Sequence, residues 1–136
     1  DVTKAALAEG IKKALVDNRL TDISHAVQTC AEKNGFSVVR DFVGHGIGRK
    51  MHEEPQVPNF GMPGRGPRLK SGMALAIEPM VTMGDKSIYM MPDRWTIRTR
   101  DGKPAAHFEH TIAIRKDKAY ILSSFEEVER IEGIKY

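Results

Sequence analysis

Phe108-Glu109-His110-Thr111-Ile112-Ala113-Ile114-Arg115, then Lys116-Asp117-Lys118, then Ala119-Tyr120-Ile121-Leu122, is the stretch that decides the fold. Phe108, His110, Ile112 and Ile114 alternate with Glu109, Thr111, Ala113 and Arg115. That period of two puts one set on each face of a strand. The short polar link predicts that the second segment turns back and pairs antiparallel with the first. Toward the N-terminus, residues 73–79 are apolar and short enough for a buried strand, and 36–40, 87–91 and 95–99 read as further strands. Asp101-Gly102 is a hairpin turn signal. Ahead of these strands come two helical patterns. Leu7, Ile11, Ala14 and Leu15 share one face of residues 3–16, and Asp17-Asn18-Arg19 breaks that pattern. Thr21 or Asp22 is suited to cap the second helix. Ile23, Ala26, Val27, Cys30 and Ala31 form its apolar face, and Gly35 after Asn34 is suited to end it.

Two one-sided helices need something to cover, and the strands supply it. The expected class is α+β, an antiparallel sheet with two N-terminal helices packed on one face. Residues 1–136 read as a single domain, since 136 residues is about one domain's worth. Residues 43–72 are rich in Gly and Pro and read as a long ordered surface loop, a kind of segment that usually carries function. The tail from Ser124 reads as a helical turn that frays, without a motif.

Composition excludes several classes. Apolar residues make up 40% and charged residues 29%, a folded soluble balance rather than a disordered one. No apolar run approaches the ~20 residues of a membrane span, and no signal peptide opens the chain. The chain starts at Asp1, not Met, and so reads as processed or cut from something longer. The net charge is +3 with opposite signs interspersed, which does not mark a nucleic-acid binder. The single cysteine, Cys30, excludes an internal disulfide and any CxxC site, and is compatible with a reducing compartment.

Four short segments carry candidate chemistry. Gly44-His45-Gly46-Ile47-Gly48 surrounds a histidine with residues that permit close approach. Met51-His52-Glu53 adds a second imidazole in the same segment. Glu78, in Ile77-Glu78-Pro79, closes an apolar strand; it is either wet at the strand end or paired with a partner or a cation. Glu109 sits in His107-Phe108-Glu109-His110-Thr111, with a histidine nearby on each side. Each segment alone has an ordinary structural explanation. Together, one His and two carboxylates form an N,O set suited to divalent Mn, Fe, Co or Zn.

In that order and spacing, Val43 to Gly48, Met51 to Pro55, Gly72-Met73 through Pro79, Trp95-Thr96 and Phe108 to Thr111 resemble type I methionine aminopeptidases of the pita-bread metallopeptidase superfamily. The resemblance covers residues 3–125. It implies a cytoplasmic metalloaminopeptidase that removes N-terminal methionine from peptides and nascent proteins, with two divalent ions in an intact site. It implies that His45, Glu78 and Glu109 are metal ligands, Glu109 bridging and Glu78 doubling as general base or proton shuttle. It implies that His52 hydrogen-bonds the substrate carbonyl, and that Met51 and Trp95 line the methionine side-chain pocket. The family also uses two aspartates eleven residues apart and a further histidine, all upstream of the helix that opens this chain, and no two aspartates here have that spacing. The chain therefore resembles the C-terminal half alone, three ligands of five. Its expected partners are peptide N-termini and either the N-terminal half or a second copy covering the inter-half face. The alternative is a non-catalytic module of the same fold that binds peptides or proteins. The retention of His45, His52, Glu78 and Glu109 speaks against it.

Overall fold

A computed structural model describes residues 1–126 and 130. It contains α1 (Val2–Lys13), α2 (Leu20–Lys33), β1 (Ser37–Val38), β2 (Gly44–Gly46), β3 (Glu53–Val57), β4 (Ala74–Ile77) and β5 (Met80–Thr82). They are followed by β6 (Ile88–Met90), β7 (Ile97–Thr99), β8 (Ala105–His107), β9 (His110–Ile114) and β10 (Ala119–Ile121). The strands form a five-stranded sheet in the order β10-β9-β4-β2-β3, a three-stranded sheet β1-β5-β8 and a ribbon β6-β7. Every ladder is antiparallel. The expected α+β class holds, with the strands divided among three sheets.

The faces of the large sheet follow from its register. Leu75 pairs with Ile112, Ile77 with His110, and Ala119 with Ile114, so these side chains share one face. Leu75, Ile77, Ile112 and Ile114 are fully buried and join Leu7, Ile23, Val27 and Ala31 of the helices in one apolar core. Burying each such side chain contributes about 1.5–3 kcal/mol. The opposite face carries His45, Ala76, Thr111 and Ala113.

Several local expectations are revised. α1 stops at Lys13 rather than residue 16, where the Ala14 N–H turns back to the Ile11 carbonyl. The N-cap of α2 is Arg19 rather than Thr21 or Asp22; Asp22 instead accepts from the Arg19 N–H at 2.7 Å, and Thr21 bonds the Arg65 backbone. Gly35 ends the helix region at φ +78°, as expected. The 43–72 segment is not all loop, since it contributes β2 and β3. Asp101-Gly102 does not join neighbouring ladder partners: β7 pairs back with β6, and β8 pairs with β5. The strand expected from Phe108 begins at His110, because residues 108 and 109 span a break between two sheets. The expectation for the tail lies largely outside the described residues.

Candidate metal centre

β4 pairs with β9 through Ile77 and His110, and β5 pairs with β8 through Met80 and His107. The two registers continue one another, so Glu78 lies opposite Glu109 and Pro79 opposite Phe108. Here both chains pass from the five-stranded sheet to the three-stranded one. Pro79 has no N–H to give to a ladder. Its carbonyl still accepts from the Phe108 N–H at 3.3 Å, which keeps the two segments together. The buried Asn59 donates from Nδ2 to the Glu78 carbonyl at 3.1 Å and holds this turn from behind.

His45 reaches the same place from β2. It pairs with Ala76, two residues before Glu78, so its ring projects on the face away from the helices. The flanking glycines are required by close approach. A Cβ at Gly44 would lie 2.3 Å from the Ala76 carbonyl oxygen, and one at Gly46 would lie 2.3 Å from that of Glu54. His45 Nδ1 lies 2.8 Å from the Gly46 carbonyl oxygen. A carbonyl only accepts, so this contact places the proton of a neutral ring on Nδ1 and leaves the Nε2 lone pair free. That nitrogen faces Glu78 Oε1 at 3.5 Å. A cation placed between two such facing acceptors, in a mostly buried setting, is stabilised by both.

One donor atom from each of His45, Glu78 and Glu109 lies within 4.8 Å of the others. Among the described residues, this is the one such set of three. Glu109 is exposed, while His45 and Glu78 are mostly buried. An imidazole with two carboxylates suits Mn, Fe, Co or Zn, so the residues fit a divalent ion.

The His52 ring lies 4.2 Å from that of His45, centroid to centroid, and is tilted by 49°. Its loop is closed by Glu53, whose Oε1 accepts from the Lys50 N–H at 2.8 Å. His45, His52 and Glu78 open into a cavity of about 500 Å³ whose apolar wall includes Val39, Phe42, Met80 and Ile88. Met51 and Trp95 do not line this cavity and are 71% and 87% exposed. The Trp95 N–H donates to the Asp93 carboxylate at 3.0 Å in a tight turn that leaves the indole outside. Met51 rides on the bend between β2 and β3.

The sequence gives no signal for Asn59, and it marks His107 only as one of the two histidines flanking Glu109, suited to be a ligand or to support one. His107 Nε2 lies 3.5 Å from Glu78 Oε2, so the two carboxylate oxygens face two different imidazoles. Its polar contact with the Glu78 carboxylate raises its pKa above 6.5, partial burial opposes this, and the charges of Glu78 and Glu109 add to the rise. The available signal was its place two residues before Glu109.

Residues 1–116 match the sequence profile of metallopeptidase family M24. A methionine aminopeptidase from Clostridium perfringens is 60% identical over 122 residues, covering 90% of this chain and 49% of that protein. Methionine aminopeptidase 1 of Bacillus subtilis is 52% identical over 90% of this chain and 50% of its own length. The crystal structure of methionine aminopeptidase from Thermotoga maritima superposes with a TM-score of 0.87 at 51% identity, over 89% of this chain and 49% of that one. The chain thus spans about half the length of the curated relatives it matches.

Proposed function

The chain belongs to metallopeptidase family M24, and on that premise we propose that it is the half of a methionine aminopeptidase carrying the His-Glu-Glu metal ligands and the histidine that meets the substrate carbonyl. The observation that carries this reading is the convergence of His45, Glu78 and Glu109 within 4.8 Å, beside His52 and an apolar cavity.

His45 Nε2, Glu78 and Glu109 would hold a divalent ion, with Glu109 bridging to a second ion whose other ligands come from outside these 136 residues. Mn, Fe, Co and Zn all suit the donors. When bound, such ions polarise a carbonyl and make water acidic enough to supply a nucleophile near neutral pH. Glu78 takes up and returns the proton of the attacking water. His52 donates to the substrate carbonyl oxygen as negative charge develops there, where a placed donor is worth most. The wall of Val39, Phe42, Met80 and Ile88 receives the methionine side chain. Met51 and Trp95, both exposed in this chain, would line the methionine side-chain pocket once the open face is covered. The substrates are N-termini of peptides and nascent proteins, and the setting is cytoplasmic. Among the described residues, no helix is long and apolar enough to cross a membrane.

The test is Met release from a Met-Ala-Ser peptide with added Mn or Co. The chain alone should bind the ion yet release little Met. Adding the N-terminal half of a relative should restore turnover, and His45→Ala should abolish the restored activity. Restored turnover that survives His45→Ala, or no metal uptake by the chain, would overturn the reading.

A further inference from the structure

Each member of the donor set just described offers one atom, and Glu78 turns Oε1 to His45 and Oε2 to His107. We infer that His107 is a positioning residue: its imidazole holds Glu78 Oε2 so that Oε1 stays turned toward His45 and the ion. This rests on the metal-binding reading above.

Glu78 sits just beyond the end of β4, where the ladder no longer constrains its side chain. A glutamate there has three rotatable bonds and stands opposite another carboxylate, Glu109, which repels it. Its backbone is tied down by Asn59, but that bond goes to the carbonyl and leaves the carboxylate free to swing. His45 approaches Oε1 with a lone pair, since its Nδ1 is occupied by the Gly46 carbonyl, and so supplies no hydrogen bond to hold it. His107 is the one imidazole placed on the other oxygen, at 3.5 Å. The β5–β8 register fixes its backbone across from Met80, two residues beyond Glu78, so the contact depends on paired strands rather than a loop. Groups that orient a ligand in this way typically tune metal affinity by 10–100-fold.

The experiment compares the full chain with H107A, H107Q and H45A. Glutamine is informative because its amide nitrogen can occupy about the place of imidazole Nε2. Mn affinity is measured by calorimetry. Separately, the side-chain rotamers of Glu78 are measured from NMR couplings in metal-free protein. His107→Ala should weaken Mn binding about tenfold and average the Glu78 couplings over several rotamers. His107→Gln should restore both. H107A matching wild type in affinity, while H45A loses binding, would overturn the inference and leave the metal site standing. If wild type and H45A bind Mn equally, the metal reading fails. The couplings then decide for His107: averaging in H107A that H107Q reverses supports it, and unchanged couplings refute it. H107Q behaving as H107A would also overturn it, showing that loss of bulk and not of a donor is responsible.

Discussion

Glu78 and Glu109 face each other across two neighbouring segments at the level where both leave one sheet for another. Like charges directly opposite are destabilising by about 0.2–1 kcal/mol. The metal-free chain should therefore carry strain that a cation relieves. Glu109→Gln should raise the stability of metal-free protein by roughly that amount in urea unfolding, and should lose most of the stabilisation that Mn gives wild type. A variant less stable than wild type without metal would count against the opposed pair.

The glycines beside His45 should tolerate no side chain. Gly46→Ala places a Cβ 2.3 Å from a backbone oxygen that cannot rotate away. A cost of about 1–3 kcal/mol is expected by analogy with overpacked cores. Thermal unfolding checks it, beside His45→Ala, which should change stability much less while removing metal binding.

Asp101 gives a pH dependence outside the metal centre. Its carboxylate accepts from the N–H groups of Asp85 at 2.8 Å and Lys103 at 3.0 Å. These bonds, that from Asp85 first, hold its pKa below the ordinary 3.8. A depressed folded-state pKa means that the stabilisation is fully present above about 3.8 and is lost as pH falls through the folded value. NMR titration should find the Asp101 midpoint below 3.8. Asp101→Asn should reduce the acid sensitivity of this turn, and a midpoint above 3.8 would refute the assignment.

β10 is an edge strand with Tyr120 and Ile121 exposed and Leu122 exposed just beyond it. Apolar edges invite pairing with a second chain. Sedimentation should show self-association at roughly tens of micromolar, reduced by Leu122→Lys. A clean monomer at that concentration would contradict this.

Much of the molecule could be read from local patterns. The α2 face through Ile23, Val27 and Ala31, and the hairpin of Ile112 and Ile114 with Ala119, obey simple periods because each buries a single side. β2 and β3 were hidden because glycines at 44 and 46 and Pro55 mask the alternation that marks strands. Local motifs singled out His45, Glu78 and Glu109, but their meeting depends on registers linking residues over thirty positions apart, which no short window contains. Asn59 carries no local signal, and the place of His107 beside Glu109 does not reveal that it faces Glu78, because each meets Glu78 from a separate segment.

The exposure of Glu109 has an electrostatic consequence. Near bulk water, opposite unit charges about 4 Å apart attract by only about 1 kcal/mol, against about 4 kcal/mol where the effective dielectric constant is near 20. A cation resting on Glu109 in this chain stands closer to the first case. Whatever covers that face therefore acts as an insulator before it acts as a supplier of ligands. It would strengthen the grip of carboxylates already in place without touching the ion.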